Sequence, residues 1–304
     1  MDWLKGKVAI VTGSGQGIGR AIARAMAAEG ARLVTNSRRP GTSGGDAETT
    51  AGEISKSGGQ AVPFFGDVSR FTDAEKLVRT ATDTFGRLDI LVNNAVVYGS
   101  GLIWEAAEEG WDGCMDTGLK GVFNCTRHAS AIRKEQRWGR ILSAASVSWK
   151  GSYANSTYGA AKAGIVGFTR CIARDLGQFG ITCNAYAPHA ATRWTMSEDA
   201  VARQERRYRA GMISKEQFED AVHKVPAPEV VPPFLVYLCT DLASDINGQV
   251  FAIRGGKIAV YTEPKEANPI FKQGGMWTVE ELREVVPNTV LKDYKNPAPP
   301  GAPQ

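Results

Sequence analysis

Short apolar runs alternate with amphipathic stretches along most of the chain, and this rhythm sets the expected fold. Val8-Ala9-Ile10-Val11 reads as a buried strand, and the helical pattern from Gly19 to Glu29 stops at Gly30. Arg32-Leu33-Val34-Thr35 is the next strand, followed by a Gly/Ser/Thr-rich turn and a helix through Ala51 to Lys56. Ala61 to Phe65, Ile90 to Val92, Arg140 to Leu142, Ile181 to Tyr186 and Val250 to Ile253 read as further strands, with helical stretches between them. Such alternation predicts one α/β domain over residues 1–256, a doubly wound parallel sheet with helices on both faces. No internal repeat is visible.

After Gly255-Gly256 the rhythm breaks. Lys257 to Gly275 is punctuated by Pro and Gly and has little periodicity. Thr278-Val279-Glu280-Glu281 is a capping box, in which a threonine N-cap and a glutamate three residues on satisfy two orphan amides. It predicts a short amphipathic helix to about Val286. The apolar face of that helix (Val279, Leu282, Val285, Val286) needs cover, and the cleft of its own or a neighbouring subunit is the expected place. The stretch Asn296 to Gln304, with Pro297, Pro299, Pro300 and Pro303, is expected to be disordered. The extension 257–304 is too small for a core of its own.

Composition narrows the function classes. The 304 residues are 43% hydrophobic and 22% charged, which is ordinary globular usage. A net charge of +4, spread along the chain, gives nucleic-acid binding no support. Cys114, Cys125, Cys171, Cys183 and Cys239 form no close pair, and His128, His189 and His223 share no metal-ligand spacing. Neither a disulfide scaffold nor a metal site is therefore expected. No apolar run spans a bilayer and the N-terminus lacks an apolar signal core, so a cytoplasmic location is expected.

The candidate chemistry begins where the first strand meets the first helix. Thr12-Gly13-Ser14-Gly15-Gln16-Gly17-Ile18-Gly19 fills that junction. Glycines there let backbone amides approach a pyrophosphate at the positive end of a helix; the bland alternative is a plain tight turn. Gly13, Gln16, Gly17, Ile18 and Gly19 are the candidate contacts. A dinucleotide without a 2′-phosphate calls for an acid roughly 20 residues beyond the glycines. The second strand instead ends Asn36-Ser37-Arg38-Arg39, and the next acid is Asp46. Ser37 and Arg38 (or Arg39 beside it) suit a 2′-phosphate, since guanidinium forks bind phosphate bidentately. NADP(H) is thus expected over NAD(H), although both arginines also fit a solvated turn.

Tyr158-Gly159-Ala160-Ala161-Lys162 carries the most specific signal, because residues four apart share a helix face. A phenol of pKa about 10 is a poor base at neutral pH. A cation about 4 Å away, at an effective dielectric near 20, favours the phenolate by about 4 kcal/mol, or about 3 pKa units. Tyr158 is therefore the candidate acid/base and Lys162 the group that tunes it. Ser146, just past the strand Arg140 to Leu142, is placed to hydrogen-bond a substrate oxygen.

With these motifs in order, the chain from Leu4 to Gly256 resembles the short-chain dehydrogenase/reductase family, nearest in look to 3-oxoacyl-thioester reductases and 3-hydroxyacyl-CoA dehydrogenases. The resemblance implies a Rossmann-type fold and hydride exchange between a nicotinamide and a small-molecule carbonyl or alcohol. It also implies a homodimer or homotetramer. It adds roles for Asp67 and Val68 at the adenine, for the Asn94 backbone at the adenosine ribose, for Lys162 at the nicotinamide ribose and for Thr192 at the carboxamide. Three positions depart from the family pattern: Val96 and His189 replace glycines, and Gly118 replaces the family's catalytic asparagine. These departures motivate an alternative, a non-catalytic nucleotide-binding subunit supporting an active partner.

Two further features admit two readings. Arg203, Arg206, Arg207 and Arg209 either attract an anionic substrate or form a solvated helix face, and the second is the simpler. Trp149, Tyr153 and Trp194 either line a substrate pocket or pack in the core.

Overall fold

The computed structural model describes residues 2–297. Eight strands form one sheet: β1 (Val8–Val11), β2 (Arg32–Ser37), β3 (Ala61–Phe65), β4 (Ile90–Asn93), β5 (Gly139–Ala144), β6 (Ile181–His189), β7 (Val250–Arg254) and β8 (Lys257–Val260). Their order is β3-β2-β1-β4-β5-β6-β7-β8, with every pair parallel except β7 and β8. This is the Rossmann-type doubly wound sheet that the alternating pattern predicts.

The period of two along β1 divides its side chains between two cores. Ala9 and Val11 pack with Ile22 and Met26 of α1 (Gly17–Ala28) and Leu235 of α9 (Pro232–Leu238). Val8 and Ile10 face Leu77 and Val78 of α3 (Phe71–Phe85) and Cys125 and Ala129 of α5 (Gly121–Gln136). Both faces are covered, which explains why β1 reads as a continuous apolar run. Strand order reverses between β1 and β4, and a crevice opens there beyond the strands' C-terminal ends. The remaining helices are α2 (Ala47–Lys56), α4 (Glu108–Gly113), α6 (Ser156–Gly177), α7 (Glu198–Arg209), α8 (Lys215–Val222) and α10 (Val279–Val285). Among the described residues no helix is long and apolar enough to cross a membrane.

One strand lies where the pattern predicts irregular chain. Gly255-Gly256 closes a hairpin rather than ending the sheet: Gly255 adopts φ 55°, and Arg254 pairs with Lys257. β8 is an edge strand whose Ile258 and Val260 stay half exposed, so no alternation of buried and polar positions marks it. Beyond it, Tyr261 meets Trp149 edge to face at 5.4 Å, and Glu263 pairs with Arg170 at 3.4 Å. In α10, Thr278 accepts from the Glu281 amide at 3.3 Å and the Glu281 carboxylate accepts from the Thr278 amide at 2.8 Å. The stretch expected to be disordered lies, from residue 298 on, outside the described residues.

The small residues of α6 are partly used within the chain. A Cβ on Gly164 would stand 2.7 Å from Leu119, and one on Gly159 would stand 3.0 Å from the Ser148 carbonyl. These two glycines serve close packing inside the subunit, and only Gly167 has open space beside it.

Candidate active site

The crevice at the switch point is a cleft of about 450 Å³. Gly13, Gln16, Gly17, Ile18 and Gly19 line one end. Gly13 takes φ 63°, and a Cβ there would stand 2.8 Å from the Ala95 Cα, so only glycine lets the loop close on the end of β4. Side chains fasten that closure. The Thr12 hydroxyl accepts the amides of Asn94 (2.9 Å) and Ala95 (3.0 Å), while the Asn94 amide group donates to the carbonyls of Thr12 (3.1 Å) and Gly13 (3.3 Å). Asn94 thus shapes the loop through its side chain, a role that the sequence motif does not announce. No acid occupies the first turn of α1, so its N-terminal amides keep their preference for an anion.

Beyond β2, Ser37, Arg38 and Arg39 line the cleft, with both arginines exposed. Ser37 accepts the Ala47 amide at 3.0 Å. Asp46, the first acid after the strand, is buried and engaged elsewhere. It caps α2, accepting the amides of Thr49 (2.9 Å) and Gly41 (2.8 Å), and these bonds hold its carboxyl below the usual range. No acid is free there to take a ribose hydroxyl pair. A glycine cradle closed to side chains and a helix N-terminus without acids fit the pyrophosphate of a nicotinamide dinucleotide.

Val68 also lines the cleft, but Asp67 does not. The Asp67 carboxylate accepts the Ser69 amide at 2.9 Å within its own turn. Thr192 lines the cleft and is held by Thr195, whose hydroxyl accepts the Thr192 amide at 2.8 Å.

Ser146, Tyr158 and Lys162 converge at the other end. Ser146 follows β5 and opens a short turn over Val147–Lys150, while Tyr158 and Lys162 stand one turn apart on α6. The Ser146 hydroxyl accepts the Ser148 amide at 3.2 Å and is among the groups that lower the Tyr158 pKa. Lys162 is buried, and its Nζ donates to the Ala144 carbonyl at 2.5 Å, 5.4 Å from the centre of the Tyr158 ring. Burial pulls this ammonium down to about 8. Burial also pushes the Tyr158 phenol well above its ordinary value, with only Ser146 and Arg203 opposing among the main influences. Lys162 is not among the main influences on that phenol in the site without a dinucleotide. Its ammonium is spent on a backbone carbonyl, and desolvation wins. The protein's own groups leave Tyr158 a proton donor at neutral pH.

Tyr98 is a site residue that the sequence reading misses. Its ring meets Tyr158 edge-on at 4.8 Å, and its hydroxyl donates to Asn155 Oδ1 at 2.7 Å. The available signal was an aromatic just past the Asn93-Asn94-Ala95 strand end, where cleft residues gather. Trp194 lines the cleft 6.3 Å from Tyr98, whereas Trp149 and Tyr153 do not line it. Val96 and His189 both line it; the His189 Nε2 is buried without a partner, and burial lowers its pKa. Gly118 sits buried in a π-helical segment, Cys114–Lys120, that joins α4 to α5.

Comparisons with known proteins agree with this geometry. The family model described as short chain dehydrogenase matches residues 7–205. The chain is 34% identical over 266 residues to a 3-oxoacyl-[acyl-carrier-protein] reductase of Synechocystis sp., covering 85% of this chain and 99% of that one. It is 36% identical over 266 residues to a D-beta-hydroxybutyrate dehydrogenase of Cupriavidus necator, covering 84% and 99%. A crystal structure of a short chain dehydrogenase from Mycobacterium avium superposes with a TM-score of 0.82 at 36% identity, covering 98% of both chains. The chain belongs to the short-chain dehydrogenase/reductase family, oxidoreductases that act on CH–OH groups with a nicotinamide dinucleotide.

Proposed function

We propose that this chain exchanges a hydride between NADP(H) and a ketone or secondary alcohol, with Tyr158 as general acid/base. The names of the relatives point to 3-oxoacyl and 3-hydroxyacyl thioesters as the first substrates to try. One observation carries the reading: Ser146, Tyr158 and Lys162 meet in the same cleft whose far end is the glycine loop. Bound at that loop, the reduced dinucleotide supplies the hydride. Ser146 holds the substrate oxygen, and Tyr158, kept protonated by burial, gives it a proton as negative charge develops. Lys162 holds its ammonium on the Ala144 carbonyl beneath Tyr158 and is the candidate donor to the nicotinamide ribose. The committed Asp46 and the exposed Arg38 favour NADP(H) over NAD(H).

The test follows NADPH and NADH absorbance with 3-oxoacyl thioesters, cyclic ketones and aromatic ketones. Reduction of at least one class, with tighter binding of NADPH, is the expected result. Equal or better binding of NADH would sink the cofactor assignment.

A further inference from the structure

The basic run on α7 splits between two faces. Ala200, Arg203, Gln204 and Arg207 line the cleft, while Arg206 and Arg209 are exposed outside it. The inward set follows helical spacing, so a face that would ordinarily be apolar is instead built from two arginines and a glutamine. Arg203 is only 9% exposed, and its guanidinium lies over the Tyr98 ring at 5.1 Å. Arg207 Nη1 donates to Gln204 at 3.0 Å. Two buried donors remain without partners, Arg203 Nη1 and Arg207 Nε. Neither arginine has a carboxylate partner among the described residues, whereas the outward Arg209 pairs with Glu205 at 2.6 Å.

Buried cations are normally paired, because an unpaired one loses its hydration without return. The buried Arg203 and the half-buried Arg207 side by side also repel each other, and Arg207 accordingly has its pKa lowered by burial first and by Arg203 second. A fixed anion would relieve both penalties. The pair is also close to the chemistry: Arg203 stacks on Tyr98, and Tyr98 meets Tyr158.

Resting on the oxidoreductase reading above, we propose that Arg203 and Arg207 bind an anionic group, carboxylate or phosphate, that the substrate carries a few bonds from its reacting carbonyl. The phosphates of a long thioester carrier lie too many bonds from the carbonyl to fill this position. The specificity of the cleft is thereby for a short oxo acid or oxo phosphate over a neutral ketone of the same skeleton.

The experiment compares a 3-oxo carboxylate, its methyl ester and an oxo phosphate ester of equal length, using the full chain and Arg203→Met. Loss of one partner from a buried charge pair predicts that the ratio of kcat/KM for the preferred anion to that for the methyl ester falls by roughly a hundredfold in Arg203→Met, beyond any loss the two substrates share through Tyr158. The preferred arm distinguishes carboxylate from phosphate. An unchanged ratio of acid to ester, or weaker NADPH binding in Arg203→Met, would overturn the proposal and assign the arginine to Tyr158, to packing or to the cofactor. A readout independent of turnover uses quenching of tryptophan fluorescence, with Trp194 in the cleft wall, by 3-hydroxybutanoate and by its methyl ester. Arg203-dependent binding of the acid alone supports the anion site even if no ketone is reduced. Reduction of ketones regardless of charge sinks the anion site and leaves the oxidoreductase reading standing.

Discussion

At the scale of single residues the site rests on two opposed burials. Tyr158 is held protonated and Lys162 is pulled toward neutrality, and each shift has desolvation as its first cause. Tyr158→Phe keeps the ring and removes the proton, so turnover should fall by roughly 10²- to 10⁴-fold while NADPH binding survives, as steady-state rates and a fluorescence titration would show. Retained turnover would overturn the mechanism. The lysine gives a pH prediction. Its folded value of about 8 lies below the ordinary 10.5, so the ammonium is present below pH 8 and lost above it. With Tyr158 protonated throughout, kcat/KM for ketone reduction should decline as pH rises past about 8. Stability should move the other way. Between about 8 and 10.5 the unfolded chain holds a proton that the folded chain has released, so the burial penalty fades as pH rises. Denaturant titrations of Lys162→Met should lose this rise. Tyr158, Lys162 and the glycines were legible because their chemistry depends on local spacing. Tyr98 and the Asn94 side chain were not, because their partners, Asn155 and the loop carbonyls, become neighbours only through the fold.

At the scale of elements the sheet was legible and its margins were not. Buried parallel strands announce themselves as apolar runs, so β1 falls where the pattern puts it, and the half-buried edge strand β3 does so on its apolar composition. β6 runs three residues further, through Ala187, Pro188 and His189, than a pattern ending at Tyr186 predicts, because β7 continues to pair with it. α7 shows the converse: counting its arginines suggests a solvated face, and only the direction of the cleft shows that half of them turn inward. The π-helical segment at Gly118 gives the testable case. A Cβ on Gly118 would meet only Ala161, at an ordinary 3.7 Å, so the backbone position itself tolerates a Cβ. Gly118→Asn should therefore fold without loss of Tm and, if glycine has weakened the proton relay, should raise turnover or broaden the pH optimum. A fall in activity with Tm unchanged would show that the segment has adapted to glycine.

At the scale of the whole molecule the question is what the chain beyond the sheet is for. No described residue past Gly256 lines the cleft, so docking over the subunit's own site is not the arrangement present. Among the described residues the last fully buried side chain is Ile253, and beyond it the extension adds to the core only the part-buried Tyr261 against Trp149. It instead displays Phe271, Met276 and Val279 at 86%, 90% and 80% exposure. Covering side chains of this size is worth about 1.5–3 kcal/mol each, a large sum to leave in water. The Mycobacterium avium relative matches across 98% of both chains, which makes the arm part of the shared architecture rather than a ragged end. A second copy of the chain is the expected cover, and two cuts separate the contributions. Ending the chain after Glu263 keeps β8, the Tyr261–Trp149 contact and the Arg170 pair. Its Tm and NADPH affinity should stay near those of the full chain, while the particle measured by light scattering should become smaller. Ending it after Gly256 also removes β8 and bares the edge of β7, so Tm should drop, by on the order of 5 °C for a domain of this size. An unchanged particle in the first cut, with unchanged Michaelis constants, would make the arm a passenger; a lowered Tm there would mean that it braces its own subunit instead.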